Sequence, residues 1–399
     1  MNTTKKTREP LFHLIKRTNV PMWQAWLVRG VTVLAAFLLI GLMSFISLKI
    51  NPFKVYSYMI KGAFGDSYRI MRLLRDLAIL LLFALAVTPA FKMKFWNIGA
   101  EGQVLMGAYA CMFCIFNLGG KINDTLLIFI SLAAALVAGS IWAVIPALFK
   151  AKWNTNETLF TLMMNYVAIQ IILYTIKIWV PGGTGVLTPT VYGNLPKIAG
   201  DNFWLSIIAA LVMTAIMFVY LRFSKHGYEI TVVGESENTA RYIGINVKKV
   251  IIRTLLLSGL ICGITGFLLV AGINHTVSST TAGGRGFTAI LVSWLAKFNP
   301  IFMIFTSFLV VFLAKGTDEV MTMSGITNSF FSQVVTGVMF LMIIGCEFFI
   351  NYRVVFSRHI KKATVVAAVP VTEESAAAET LEAPVNDTQA DASEKEDNV

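Results

Sequence analysis

Apolar residues in this 399-residue chain come in long unbroken runs, without the alternation of a half-buried strand. Runs long enough to cross a bilayer lie at roughly 28–48, 73–91, 95–117, 125–149, 158–180, 202–222, 251–273, 299–314 and 329–350, and a short run at about 286–297 adds a tenth pass. The pattern predicts an all-α polytopic membrane protein of about ten transmembrane helices. Two runs are broken in the same way, at Asn97-Ile98-Gly99-Ala100-Glu101-Gly102-Gln103 and at Gly283-Gly284-Arg285-Gly286-Phe287. An ionisable side chain such as Glu101 is costly at membrane depth and rarely stands there without a use. Short helices are expected after both breaks, from Val104 to Phe116 and from Thr288 to Ala296. An odd number of passes separates the segments starting near 73 and 251, so the halves have opposite topology. Inverted repeats with broken, short helices are the pattern of an alternating-access transporter.

Composition narrows the class further. Charged residues make up 14% of the chain and hydrophobic ones 56%, against about 25% charged in soluble domains. Two soluble domains are therefore excluded. Residues 1–27 form a polar, basic arm with Lys5, Lys6, Arg8, Lys16 and Arg17. The apolar run after Arg29 is about 19 residues long, too long for a signal-peptide core, and reads as a retained first helix. Residues 28–352 form the transmembrane domain, with an interior loop at 223–250. Residues 353–399 are a basic, then acidic tail. From Val365 onward it carries nine acidic residues and one Lys, leaving +19 on the body of the chain, and its composition predicts disorder. The N-terminal arm, Lys92/Lys94, Lys150/Lys152, the 222–253 loop, Lys297 and Arg353 to Lys362 all fall on one side. The positive-inside rule makes that side cytoplasmic and places both termini there, in a plasma-membrane protein. The loop 49–72, with Lys49, Lys54, Lys61, Arg69 and Arg72, runs against the rule and reads alternatively as an amphipathic surface segment.

Several chemistries are missing from the sequence. No phosphate-binding loop is present, so the chain shows no ATP site of its own. Cys111, Cys114, Cys262 and Cys346 all lie in apolar runs and read as small helix fillers. The four histidines are scattered, and no metal-ligand or nucleophile motif is found. In the interior loop, Ser236 or Asn238 is placed to cap a short helix through Ala240, Arg241 and Tyr242 that Gly244 ends. Such a helix suits docking on a soluble partner; a plain connector is the other reading. Asn97, Glu101 and Gln103 either line a solute path or support the break, Glu101 then accepting from free N–H groups at the start of the next helix. Asn165 and Tyr166 read as path-lining residues or as helix–helix hydrogen-bonding groups. Arg285 is expected at the outer mouth, touching an extracellular partner or capping a neighbouring helix.

Four segments, taken in order, carry a resemblance. They are Phe95 to Gln103, Asn156 to Tyr166, Gly234 to Ile245 and Gly283 to Ile290. Together they resemble the permease subunits of nucleoside-type ABC importers, in the same superfamily as ribose and branched-chain amino acid permeases. The match covers roughly residues 28–350 and leaves out the acidic tail and the N-terminal arm. Departures are Trp96 before Asn97, Thr239 in place of a small Ala, and no Gly after Leu291-Val292-Ser293-Trp294-Leu295-Ala296. The resemblance implies half of a translocation path, worked by an ABC ATPase subunit on the cytoplasmic face, a second and non-identical permease, and an extracellular substrate-binding lipoprotein. It also implies that Glu235, Glu237, Asn238, Arg241, Tyr242 and Gly244 meet the ATPase. The chain then binds no cofactor, since ATP and Mg sit on the partner, performs no bond chemistry and has no nucleic-acid partner. Purine-type nucleosides are the expected solute, with a pentose or other simple sugar as the alternative. An ion- or proton-coupled secondary transporter with Glu101 as titrating group is the alternative of another class.

Overall fold

Each apolar run becomes a helix, and five of these helices start on a capping Asp or Asn side chain: Asp66, Asn123, Asn156, Asn246 and Asn299. A computed structural model describes residues 12–16, 21–180, 187–198, 203–325 and 330–356. Helix α1 spans Met22–Leu48. Asn51 caps α2, Pro52–Phe64, whose Pro52 stands where a missing N–H costs nothing. Asp66 caps α3, Ser67–Lys92. Helix α4 is Ala100–Leu118, α5 is Asp124–Trp153 capped by Asn123, and α6 is Glu157–Trp179 capped by Asn156. Helix α7 is Trp204–Phe223, followed by the short α8, Lys225–Glu235, and α9, Glu237–Tyr242. Helix α10, Val247–Phe267, runs on as a π-helical segment, Leu268–Asn274. The last three helices are α11, Arg285–Leu295, α12, Pro300–Met323, and α13, Phe330–Asn351.

Among the described residues, six helices are both long and apolar enough to cross a membrane: α4, α5, α6, α7, α10 with its π extension, and α12. Helices α1, α3 and α13 have comparable lengths of 27, 26 and 22 residues. The tenth pass is only partly helical. Eleven residues of α11 extend about 16 Å, roughly half the hydrocarbon thickness, so the irregular stretch 275–284 must cover the rest. The 49–72 region is largely helical. In α2, Val55, Met59 and Ala63 recur every fourth residue and are buried, and Gly316 of α12 lies against Met59. Its apolar face therefore packs on protein.

Residues 26–347 form one compact unit. Its centre is α3, buried almost without interruption from Ala78 to Phe91. Helices α4, α5 and α10 pack backbone to backbone through glycines. A Cβ on Gly263 would stand 2.5 Å from the Ala135 carbonyl oxygen, and one on Gly259 2.5 Å from that of Gly139. Membrane helices gain no hydrophobic drive from lipid, so such close approach supplies the packing.

The other unit comprises residues 1–25 and 348–399. Strand β1, Phe12–Lys16, pairs antiparallel with β2, Tyr352–Phe356, with Phe12 opposite Phe356 and Lys16 opposite Tyr352. The sequence reading anticipated no strand here, although Tyr352-Arg353-Val354-Val355-Phe356 is rich in residues that favour one. The acidic segment from Val365 and residues 1–11 lie outside the described residues.

Candidate functional site

The two sequence breaks meet in space. The N-termini of α4 and α11 abut so closely that a Cβ on Gly286 would lie 2.8 Å from the Glu101 backbone nitrogen. Each helix start carries about half a positive charge and unpaired N–H groups. Glu101 answers both needs. One of its carboxylate oxygens accepts from Gly284 N–H at 2.7 Å and the other from Gly286 N–H at 2.8 Å. Gly284 has φ +72°, which only glycine adopts without strain. Glu101 thus caps the broken helix of the opposite half and not the start of its own.

The start of α4 is held by amides. Asn165 Oδ1 accepts from Gly102 N–H at 2.8 Å, and its Nδ2 donates to the Ile98 carbonyl at 2.9 Å. Asn97 Oδ1 accepts from Gly99 N–H and from Gln103 Nε2, both at 3.1 Å. Asn97 Nδ2 donates to Ser258 Oγ at 3.2 Å, and Gln103 Oε1 accepts from Ser258 and Cys262 of α10. Asn97, Glu101, Gln103 and Asn165 are all buried. On one flank of the junction Trp96 and Trp294 meet edge to face at 5.3 Å, with Phe91 beside both. Tyr166 points the other way and is 58% exposed.

Beside the junction lies a charge cluster. The buried Asp76 carboxylate of α3 is 2.7 Å from Lys315 Nζ, 2.9 Å from Arg75 and 3.7 Å from Arg285. Arg69 pairs with Glu319 at 2.6 Å. Lys315 and Glu319 belong to α12, so these pairs tie the first half of the chain to the second. Arg285 also borders an open polar hollow of about 610 Å³ between the π-helical segment and α11. It stands at the start of α11, about 15 Å along the helix axis from Leu295 at its end.

At the basic end of the bundle Lys92, Arg222 and Lys297 border a common hollow with α8. Helix α8 is held there by Glu229, which accepts from Arg253 of α10 at 2.6 Å. Arg253 holds the Glu229 carboxyl below its ordinary range. Gly234 fits against the Lys92 carbonyl, with no room for a Cβ. Ser236 Oγ accepts from Thr239 N–H and opens α9. Ala240 is the buried anchor of α9, while Tyr242 is 93% exposed. Glu235, Glu237, Asn238, Arg241 and Gly244 are exposed with it. Arg241 pairs with Glu237 at 3.3 Å, and Gly244 reverses the chain at φ +84°.

Residues 69–344 match the family model described as "Branched-chain amino acid transport system / permease component". The chain belongs to this permease family. Similar proteins include the glucose ABC transporter permease protein TsgB13 of Haloferax volcanii, 28% identical over 85% of this chain and 92% of that protein. The guanosine ABC transporter permease protein NupP of Bacillus subtilis is 28% identical over 68% of this chain and 80% of its own length. The nucleoside ABC transporter permease protein NupB of Lactococcus lactis is 26% identical over 87% and 96%.

In this permease the structure gathers four of the six expected path residues, Asn97, Glu101, Gln103 and Asn165, into one internal network. Arg285 stands beside it, and Tyr166 is apart. The sequence reading missed Ser258 and Cys262, which complete the network, Thr161, whose Oγ1 accepts from Ile98 N–H at 3.2 Å, and the Asp76 cluster. A signal for Asp76 was present, since it is a carboxylate inside the apolar run 73–91.

Proposed function

We propose that this permease forms half of the translocation path of an ABC importer for nucleosides. The observation that carries the reading is the short helix α9, anchored by Ala240 and projecting Tyr242 from the basic end. The motifs it shares with nucleoside permeases, and its likeness to NupP and NupB, support nucleosides as the solute. In this reading the basic end is cytoplasmic and both termini lie there. A partner ATPase binds ATP and Mg and docks on Glu235, Glu237, Asn238, Arg241, Tyr242 and Gly244. Closure of the ATPase pair moves α8 and α9, and the Glu229–Arg253 pair and the Gly234–Lys92 contact pass that movement to α10 and α3. A non-identical second permease supplies the other half of the path, and an extracellular lipoprotein delivers the solute. The internal bonding of Glu101 favours a fixed cap over a titrating group, and so an ATP-driven over a proton-coupled cycle.

The length of the match to TsgB13 supports a second reading, in which a simple sugar is the solute. Uptake of labelled guanosine and labelled glucose, in cells whose only importer contains this chain, separates the two. The expected result is guanosine uptake that the Arg241→Ala/Tyr242→Ala double variant abolishes at equal membrane level. Unchanged uptake by that variant overturns the docking assignment, and uptake of glucose alone moves the solute to the sugar reading.

A further inference from the structure

Several independent features converge on the hollow beside Arg285. The helix leading to it, α10, ends in a seven-residue π-helical segment, a conformation that is rare and often marks a functional site. His275 follows at φ +54°, outside the usual range for a residue with a side chain. Gly283 and Gly284 close the segment at φ +63° and +72°. The stretch 275–284 is non-helical backbone in the middle of a crossing, which membrane proteins tolerate only where it is buried in protein or borders water. Here Asn274, Thr280, Gly283 and Gly284 are exposed on the single chain, as backbone that borders a water-filled space is. Val277, Ala282 and Thr281 are buried beneath and fix the floor.

The lining defines the ligand chemistry. It presents the exposed amide of Asn274, the guanidinium of Arg285 and a chain of hydroxyls in which Thr276 donates to the Leu187 carbonyl at 2.8 Å, Thr281 accepts from Ser278 N–H at 2.8 Å, and Ser278 meets the exposed Thr280 at 3.2 Å. The hydroxyls and the amide both donate and accept hydrogen bonds, whereas the guanidinium only donates. Among the described residues no aromatic side chain lines the hollow, so none of them gives a planar base a stacking platform. Among the described residues no carboxylate lines it either, and the one cation there, Arg285, already faces Asp76 at 3.7 Å. A strongly anionic ligand is therefore poorly matched, whereas a neutral polyol is well matched. The volume of about 610 Å³ lies within the range of small-molecule sites.

We infer that this hollow is the subsite that receives the sugar hydroxyls of the solute as it passes the α4–α11 junction. The inference rests on the nucleoside reading and adds a position and a chemistry to it. Asn274 and Thr280 contact the vicinal hydroxyls, and Arg285 positions them from the start of α11.

The test uses the complete importer in cells, with initial uptake of guanosine, 2′-deoxyguanosine and 2′,3′-dideoxyguanosine measured below saturation. Asn274→Ala and Thr280→Val remove hydrogen-bonding groups at exposed positions, and Arg285→Lys keeps the charge facing Asp76 while losing the fork. A neutral hydrogen bond is worth about 3- to 10-fold in rate. Guanosine uptake by each variant should fall by about that factor, and dideoxyguanosine uptake by less than about 2-fold. Selection by the binding protein is common to all variants and cancels in the ratio. Equal losses for guanosine and dideoxyguanosine, or no loss for either, overturn the subsite. A wild-type importer that takes up none of the three overturns the nucleoside reading itself, and the subsite with it.

Discussion

Replacing Glu101 by Gln tests the junction directly. The carboxylate accepts two backbone N–H groups, at 2.7 and 2.8 Å, in a site where it is only 8% exposed. Gln retains one accepting oxygen and turns an NH2 group toward the second donor. One charge-assisted bond is lost, worth about 1.5–3 kcal/mol, and one buried N–H is stranded. The favourable charge between two helix N-termini goes too, adding about 0.3–1 kcal/mol. Because these effects overlap, the expected loss is about 2–4 kcal/mol for Glu101→Gln and more for Glu101→Ala, which strands both donors. The assay is the unfolding midpoint of the detergent-solubilised chain, read by tryptophan fluorescence beside uptake in cells. A cap predicts that the midpoint falls for Gln and falls further for Ala. A solute-contacting or titrating carboxylate predicts lost uptake with an unchanged midpoint. If both variants unfold with wild type while uptake disappears, the capping argument is wrong.

Three further outcomes follow from the same structure. Gly263→Leu should abolish folded protein in the membrane, because its Cβ alone would meet the Ala135 carbonyl oxygen at 2.5 Å; recovery by size exclusion in mild detergent reads this out. Asp76→Asn should destabilise the bundle by about 3–5 kcal/mol, because it leaves Lys315 and Arg75 without their counter-charge. Adding Lys315→Met should restore part of that loss, and strict additivity in the double-mutant cycle would refute the pairing. Arg253 holds the Glu229 carboxyl below its ordinary range, so the folded state binds this proton less readily than the unfolded chain. The resulting stabilisation is present above the ordinary carboxylate pKa of about 4.3 and is lost as pH falls through the lower folded value. Glu229→Gln should flatten that acid-side decline in unfolding midpoint, and an unchanged slope would count against the assignment.

The features legible in the sequence were those that rest on contrast within a short stretch. Glu101 and the glycines around Arg285 stood out because charge and glycine interrupt apolar runs. Ser236, Ala240 and Gly244 showed a short helix because caps and stops act over a few residues. The partner of Glu101 was not legible, because Gly284 lies 183 residues away and only the folded chain brings two helix starts together. Helix α8 was read as polar loop because its buried residues, Gly227, Ile230, Val233 and Gly234, include two glycines that give little apolar signal. The glycines of α10 at 259, 263 and 266 carried no signal of their own in the sequence, since their meaning lies in the opposing backbones of α4 and α5.

The bonding of the junction also constrains where a solute can pass. A polar side chain whose donors and acceptors already have partners offers little to a passing molecule. Asn97 and Gln103 bond to each other and to α10, Asn165 holds Ile98 and Gly102, and Glu101 holds the start of α11. Exposing any of them to solute would strand backbone groups at two helix ends, a cost that grows where water is scarce. The intramembrane polar residues that drew attention to the break therefore keep it broken, in a fixed geometry. Polar side chains open to a passing molecule lie elsewhere, at the exposed Tyr166, Asn274 and Thr280. A broken helix costs stability unless its irregular backbone is used, and the segment 275–284 is where this chain leaves that backbone open.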